Sequence, residues 1–472
     1  MTINKGDELK LKIKSLAFGG SGIARHDRAV IFVPDAIPGQ TVLVHIIKKR
    51  SNFLEARVSK VLEKAPDEIP PTCKHFADCG GCKFQNVPYE KQLEYKREHV
   101  VAHIQRIGGF KNLEVPATLG ADPNYRYRNK MEFTFANSRW HCAENDPGTP
   151  DDFAFGLHAP GRYDKVLDLE HCHLLSEIGN DIFQTVKQFA LESKLKLYDL
   201  REHEGFLRYL VIREGANTGE IMVNVVTNYD DPKKLLPLSK IFKEKFPQIA
   251  SFLNGVQGGK GNVAYTDDIN LIDGNETIHE KINDLTFDIS AYSFFQTNTH
   301  QAKVLYDIAR DFADLQTEDV VYDLFCGTGT IGLFLARDCK EIIGMEVVPS
   351  AVEDAKRNAM NNEIYNARFV LGDVNKLFRN LPDEKQNLPS PDVVILDPPR
   401  AGITEKTARR IAEQKPRTIV YISCNPATQA RDLKWLCAET NYDIEKTQPV
   451  DMFPHTPHIE TVVKLTKKQG KQ

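Results

Sequence analysis

Cys424 lies in the run Ile422-Ser423-Cys424-Asn425-Pro426, about 25 residues beyond Asp397-Pro398-Pro399-Arg400, where a parallel strand should end. A thiol at that position, in the mouth of a nucleotide-type α/β sheet, is placed to act as a nucleophile on a base-like substrate. A buried packing cysteine is the plain alternative, because free thiols are among the most buried side chains. The residues that separate the two readings run from Asp323 onward.

Asp323-Leu324-Phe325-Cys326-Gly327-Thr328-Gly329-Thr330-Ile331-Gly332 reads as strand, glycine turn and helix. Gly327 and Gly329 allow a ligand to approach the backbone, and the helix that follows opens with free amides. One glycine loop is weak evidence, since dinucleotide enzymes use it too. Here Glu346 closes the next strand, 23 positions after Asp323, where a carboxylate can grip ribose hydroxyls. Gly372-Asp373 ends the third strand and Asp397-Pro398-Pro399-Arg400 ends the fourth. Acids at successive carboxyl ends of strands mark a binding crevice. S-adenosylmethionine fits that crevice better than a dinucleotide, whose pyrophosphate these carboxylates would repel.

A second group of thiols is spaced Cys73-x5-Cys79-x2-Cys82, with Gly80 and Gly81 in the turn. A fourth ligand must come from afar. Cys172, in His171-Cys172-His173, is the best candidate and Cys142 its rival. Four thiolates suit an iron–sulfur cluster or zinc, and spacing alone does not separate them; the flanking histidines keep zinc open. Cys326, Cys339 and Cys437 read as packing residues.

A chain of 472 residues, 41% hydrophobic and 27% charged, is long enough for two or three folded units and too apolar for wholesale disorder. The net charge of −4 hides an asymmetry: Met1–Lys64 holds twelve Lys and Arg against six Asp and Glu, or +6, which leaves −10 for the rest. A basic module on an acidic body is an electrostatic handle for a polyanion. No secretory leader and no apolar run near the ~18 residues of a membrane span are evident, so a cytoplasmic protein with reduced cysteines is expected.

Alternating segments Glu8–Ser15, Ala29–Val33, Thr41–Lys48 and Leu54–Leu62, with the turn Phe18-Gly19-Gly20-Ser21-Gly22-Ile23-Ala24, predict a small β-barrel over residues 1–64. It resembles the TRAM RNA-binding module. Pro66–Pro71 is a linker, and Tyr89–Ile107 an amphipathic helix. A central α+β region (65–288) follows, with strands expected at Lys130–Ala136, Phe153–His158, Leu207–Glu214, Ile221–Thr227 and Val263–Thr266, and helices near Ser176–Glu192 and Lys233–Phe246. The helical part of 89–118 is free to pack on the last unit. From 289 to 472, strands and helices alternate as in a doubly wound, Rossmann-like sheet. The fold class is multidomain α/β.

Phe294-Phe295-Gln296-Thr297-Asn298, Asp323–Gly329, Glu346, Asp397–Arg400, Ser423–Pro426 and His458-Ile459-Glu460-Thr461-Val462-Val463 together resemble the RNA uracil-C5 methyltransferases over nearly the whole chain. The resemblance implies cofactor contacts by Gln296, Phe325, Glu346 and Asp397, with Asp373 an addition. It carries Thr330 less firmly, because some relatives have Asn there. It implies a catalytic pair, the nucleophile Cys424 and the general base Glu460. Glu460 by itself would read as a surface strand carboxylate. Arg400 is assigned a supporting role, and His458 packing or hydrogen bonding. The resemblance also implies a [4Fe–4S] cluster on Cys73, Cys79, Cys82 and Cys172, and an RNA substrate, 23S ribosomal RNA in preference to tRNA, because tRNA enzymes of the family generally lack the barrel and the cluster cysteines. Tyr125-Arg126-Tyr127-Arg128-Asn129-Lys130 combines cationic and aromatic groups suited to RNA. A monomer is expected. The rivals are an amino-group methyltransferase, which would carry an aromatic residue at position 400, and a non-catalytic iron–sulfur RNA-binding protein.

Overall fold

The computed structural model describes residues 3–27, 29–142, 148–266, 268–379, 388–438 and 441–468. The N-terminal unit is a sheet of six strands, β1 (Glu8–Lys12), β2 (Ser15–Leu16), β3 (Gly22–His26), β4 (Ala29–Val33), β5 (Thr41–Lys49) and β6 (Leu54–Glu63), in the order β1-β5-β6-β4-β3-β2. Their alternation puts Leu11, Ile13, Ala24, Ile31, Val33, Val42, Val44 and Ile46 into one small core. Gly22 is required there: a Cβ would stand 2.7 Å from the Ala36 carbonyl oxygen.

Helix α1 (Tyr89–His103) continues into a π-helical turn, Ile104–Gly108. The central sheet comprises β7 (Lys130–Ala136), β8 (Ala154–Gly156), β9 (Leu207–Glu214), β10 (Ile221–Thr227), β11 (Ile249–Val256) and β12 (Ile269–Gly274), ordered β12-β11-β10-β9-β7-β8. Helix α2 (Glu177–Ser193) buries its apolar stripe on this sheet and is capped by Ser176, whose hydroxyl accepts the Gly179 amide at 2.9 Å. Helix α3 (Leu236–Lys245) crosses between β10 and β11, which run parallel. The expected strand Val263–Thr266 is not formed. That segment is a loop, tied back where the Thr266 hydroxyl donates to the Val256 carbonyl at 2.6 Å. The strand is β11 instead, whose interior Ser251, Asn254 and Gly255 obscure its apolar pattern. Asn254 is buried and donates to the Val225 carbonyl at 2.8 Å.

The hairpin β13 (Ile278–Ile282) and β14 (Leu285–Ile289) packs its apolar face with Leu305, Val321 and Ile342 of the last unit. That unit holds α4 (Thr299–Ala313), β15 (Val320–Leu324), α5 (Thr330–Leu335), β16 (Glu341–Glu346), α6 (Pro349–Asn361), β17 (Ala367–Leu371), α7 (Val374–Arg379), β18 (Val393–Leu396), α8 (Glu405–Glu413), β19 (Thr418–Ser423), α9 (Pro426–Ala438), β20 (Tyr442–Val450) and β21 (Glu460–Lys467). Its sheet runs β17-β16-β15-β18-β19-β21-β20, parallel from β17 to β19, with β21 inserted antiparallel. Strand order reverses between β15 and β18, which opens a crevice beyond their carboxyl ends. Both faces are covered, so β15, β18 and β19 read as continuous apolar runs. Helix α1 belongs to the linker in sequence but packs on α9 and β20. No helix among the described residues is long and apolar enough to cross a membrane.

Candidate active site

The crevice at the switch point is a cavity of about 1450 Å³, and Gln296, Phe325, Thr330, Glu346, Asp397, Cys424 and Glu460 all reach its wall. Its floor is the turn after β15. Phe325 adopts φ +62°, and the Phe325 and Cys326 amides donate to the Met345 carbonyl at 2.9 and 3.2 Å. Gly329, at φ +77°, could not carry a side chain, since a Cβ would meet the Phe369 ring at 2.8 Å. Asp323 is buried beneath the turn and accepts the Gly332 amide at 2.9 Å. Burial pushes its carboxyl up to about 7. Asp323 therefore braces the turn from below.

Glu346 is fixed by backbone donors. One oxygen accepts the Gly327 amide at 3.1 Å and the other the Val347 and Val348 amides at 2.7 and 2.9 Å. Gln296 is held by its main chain, whose carbonyl accepts from the Asn129 amide group at 2.9 Å. The Thr330 hydroxyl lies 3.2 Å from the Tyr306 hydroxyl. Burial pushes the Asp397 carboxyl up to about 7. Asp373, expected with these residues, is exposed and is not part of the cavity wall. Its carboxylate accepts the Lys376 amide at 3.2 Å and so caps the start of α7, a local role that a sequence ending in Gly-Asp after a strand does not distinguish from ligand binding.

Cys424 follows β19 and Glu460 begins β21, the antiparallel neighbour of β19, in which Ser423 pairs with Thr461. That register brings thiol and carboxyl into the same end of the crevice. Burial pushes the Cys424 thiol up to about 11, the charge of Glu460 adds to the shift, and a hydrogen bond from Arg400 opposes it. Glu460 is 5% exposed. Burial, and then the neighbouring Asp397, hold its carboxyl well above the usual range, while Arg400 acts the other way. Arg400 also donates to His458 Nδ1 at 2.7 Å, which leaves that imidazole as a neutral acceptor; burial, then Arg400, lowers it to about 4. The Arg400 carbonyl accepts from the Asn425 amide group and the Thr428 hydroxyl, each at 3.1 Å, locking the Asp-Pro-Pro-Arg turn to the cysteine turn.

The thiols Cys73, Cys79, Cys82 and Cys172 line a second cavity, of about 570 Å³, with His75, His171 and His173 around it. Cys142 is not on its wall and interacts with Asp78. Burial raises all four thiols, Cys79 and Cys82 to about 12. Among the described residues, no three His, Cys, Asp or Glu side chains stand close enough to hold one metal ion. Four thiols on one cavity wall supply the donor chemistry of a sulfur-ligated metal group. Arg128, Tyr292, Phe294, Phe453 and His458 line both cavities, so the two are contiguous. That adjacency was not legible in the sequence, where the nearest members of the two sites, Cys172 and Gln296, are 124 residues apart.

Residues 268–468 match the sequence profile of the tRNA (Uracil-5-)-methyltransferase family, and residues 4–59 match that of the TRAM domain. An uncharacterized RNA methyltransferase of Porphyromonas gingivalis is 42% identical over 465 residues, which cover 97% of this chain and 99% of that protein. One of Halalkalibacterium halodurans is 37% identical over 467 residues, 99% of this chain and 98% of that protein. The crystal structure of the Pyrococcus abyssi tRNA (uracil-54, C5)-methyltransferase in complex with S-adenosyl-L-homocysteine superposes with a TM-score of 0.75 at 29% identity, covering 97% of this chain and all of that one. With its barrel, its doubly wound sheet and the crevice at the switch point, the chain belongs to the S-adenosylmethionine-dependent RNA uracil-5 methyltransferases.

Proposed function

We propose that this protein methylates C5 of a specific uridine in RNA, with Cys424 as nucleophile and Glu460 as general base. The observation that carries the reading is the pairing of β19 with β21, which opens Cys424 and Glu460 into the cavity that Gln296, Phe325, Thr330, Glu346 and Asp397 also line. Those five side chains are the proposed cofactor contacts. Asp373 is proposed as an addition to them from its place after β17, although its side chain is exposed and lies off the cavity wall.

Uracil C5 is a poor nucleophile. Addition of Cys424 to C6 as its thiolate, the thiol proton having passed to solvent, moves the C5–C6 double-bond electrons into an enolate and makes C5 carbon-nucleophilic. S-adenosylmethionine, when bound, supplies an electrophilic methyl group on a sulfonium centre. Glu460 then accepts the C5 proton, the C5–C6 double bond re-forms, and the C6–S bond breaks to return Cys424 as a thiolate. Arg400 stabilises that thiolate through its hydrogen bond to sulfur. Burial biases both groups toward their protonated forms in the free protein, so Cys424 must lose its proton to add and Glu460 must be ionised when it takes the C5 proton, a state that positive charge in the cavity favours. The uridine must leave its stack to reach Cys424, at a cost of a few kcal/mol offset by pocket and backbone contacts.

Cys73, Cys79, Cys82 and Cys172 are proposed to hold a [4Fe–4S] cluster, with zinc as the alternative. The support is the donor set alone, four thiols on the wall of one cavity. The proposed substrate is 23S ribosomal RNA, on the strength of the barrel and cysteine loop, and the protein is proposed to act as a cytoplasmic monomer. A tRNA uridine is the second reading. In its favour, a protein named as a tRNA methyltransferase is covered over its whole length by this chain, so a barrel does not by itself argue against tRNA. Mapping 5-methyluridine in both RNA classes, with and without the gene, decides between them.

The chemistry is tested with Cys424→Ala. It should lose turnover while binding cofactor as the parent does, and only the parent should form a denaturant-stable adduct with 5-fluorouridine RNA. An active Cys424→Ala protein would overturn the mechanism.

A further inference from the structure

Glu460 is the first residue of β21, and its position depends on the segment 451–459 that leads into it. That segment has no regular secondary structure, yet Asp451, His455, Thr456 and Ile459 are buried. Much of what holds it comes from the first quarter of the chain, beside the Tyr127 hydroxyl, which donates to the Pro454 carbonyl at 3.1 Å, and the Asn298 amide group, which donates to the Met452 carbonyl at 3.2 Å. At its start, the Lys96 ammonium of α1 meets the Asp451 carboxylate at 2.6 Å, with both side chains fully buried, and also donates to the Phe453 carbonyl at 3.0 Å. At its end, Ile459 joins Val100, Ile104 and Val115 in one apolar cluster, against which Phe18 of the barrel's glycine turn packs. The same turn lies against Pro457: a Cβ on Gly20 would stand 3.5 Å from the Pro457 Cβ and 3.6 Å from the Phe84 ring.

The middle of the segment is His455, in the left-handed region at φ +65°. A non-glycine residue stays there only when its surroundings over-determine it. Its amide donates to the Gln92 side-chain oxygen at 2.9 Å. Its carbonyl accepts from the Lys83 and Phe84 amides at 2.8 and 3.1 Å. Its ring stacks on Tyr125, centroids 4.1 Å apart at 25°. Gln92 is itself buried and uses its amide nitrogen on the Phe84 and Val87 carbonyls at 3.0 and 2.9 Å. Lys83 and Phe84 follow Cys82 directly, so the thiol-lined cavity and the approach to Glu460 share one brace.

We propose that His455, pinned through Gln92 and the Lys83–Phe84 amides, is the positioning residue for Glu460, and that the cysteine loop and α1 thereby set the geometry of proton removal from C5. The inference rests on Glu460 being the base. His455 contributes its backbone conformation, while its ring lies 3.2 Å from the Gln92 amide nitrogen, against Tyr125, and on neither cavity wall. In the step affected, Glu460 takes the C5 proton, that bond's electron pair forms the C5–C6 double bond, and the C6–S bond releases the Cys424 thiolate. A carboxyl displaced by about 1 Å should slow this step by about 10- to 100-fold, while addition and methyl transfer, which precede it, proceed.

The experiment compares full-length His455→Gly, His455→Val and Gln92→Leu with the parent and with Glu460→Gln. The readouts are the fraction of protein in a methylated covalent RNA adduct during turnover on ordinary uridine RNA, the rate at which that adduct resolves, and S-adenosylmethionine affinity as the gauge of an intact sheet. Glycine adopts positive φ freely and keeps both backbone bonds, so His455→Gly should resolve the adduct within about threefold of the parent. Valine is disfavoured at positive φ, so His455→Val should accumulate adduct with unchanged cofactor affinity, as should Gln92→Leu. If Gln92→Leu fails to bind cofactor, His455→Val against His455→Gly carries the comparison. Equal resolution by the Gly and Val variants, whether fast or slow, overturns the proposal. Failure of Glu460→Gln to accumulate adduct would instead overturn the assignment of the base, leaving the brace without that function.

Discussion

The thiol of Cys424 offers the sharpest quantitative check on the site. Burial and the nearby Glu460 push it up to about 11, from an ordinary value of 9.0. At pH 8 the ionised fraction is then ~0.001, against ~0.1 for an unperturbed thiol, a loss of about 100-fold. Thiolates gain intrinsic nucleophilicity as their pKa rises, with a Brønsted slope of about 0.4–0.5, which restores a factor of roughly 6 to 10 over two units. The free protein should therefore alkylate at Cys424 about tenfold more slowly than an unhindered thiol at pH 8. The sign follows from the raised value: the rate should climb about tenfold per pH unit from 7 to 10 without levelling, because the thiolate fraction stays small throughout. Iodoacetamide labelling read peptide by peptide in a mass spectrometer separates Cys424 from the other eight cysteines. Arg400→Met removes the guanidinium that opposes the shift, and should lower the rate at pH 8 further. A plateau below pH 9 would mean that the free enzyme already holds a thiolate, and the account of a protonated resting nucleophile would be refuted.

Other consequences concern the frame around that thiol. Lys96→Met leaves the Asp451 carboxylate fully buried with only the Tyr89 hydroxyl at 3.0 Å and the Phe453 amide at 2.9 Å, and should cost about 3–5 kcal/mol, read as a lowered thermal or denaturant midpoint; an unchanged midpoint would show that the pair is not desolvated in solution. Cys172→Ser should abolish iron and sulfide binding in anaerobically purified protein while Cys142→Ser should not, because only Cys172 faces the void with Cys73, Cys79 and Cys82. Stoichiometric zinc without sulfide would refute the iron–sulfur assignment.

The doubly wound sheet was legible because its strands are short apolar runs that end in glycine or acid, and β15, β16, β17, β18 and β19 fall where those runs lie. Period-two alternation likewise exposed the barrel strands. The central sheet was harder for a physical reason. Strand β10, buried on both faces, still reads as an apolar run and falls at the expected Ile221–Thr227, whereas β11 carries Ser251, Asn254 and Gly255 in its interior and shows neither a run nor an alternation. The polar groups that disguise β11 are the ones it satisfies internally, Asn254 with the Val225 carbonyl and the Asn224 side chain with the Gly255 amide. A sequence window records only their polarity, and the partners that make it tolerable lie about thirty residues away.

The same limit explains what was and was not visible at the site. Cys424 and Glu346 follow strands and could be placed from the strands alone. Glu460 reads as an ordinary strand carboxylate until β21 inserts beside β19, a pairing between segments that a window cannot join. Asp373 has the local look of a ligand, and one of its carboxylate oxygens accepts the Lys376 amide. His455 carries no chemical signature, since its contribution is a positive φ, one amide and one carbonyl. Base chemistry needs a carboxyl held to about 0.5 Å on a rigid support, and an irregular segment does not provide that unaided. The support here is assembled from Phe18, Lys83, Phe84, Gln92 and Lys96, all more than three hundred and fifty residues before Glu460. The N-terminal third therefore does more than present a basic face to RNA. Its glycine turn and cysteine loop pack behind the segment that leads into Glu460, the general base of the proposed mechanism.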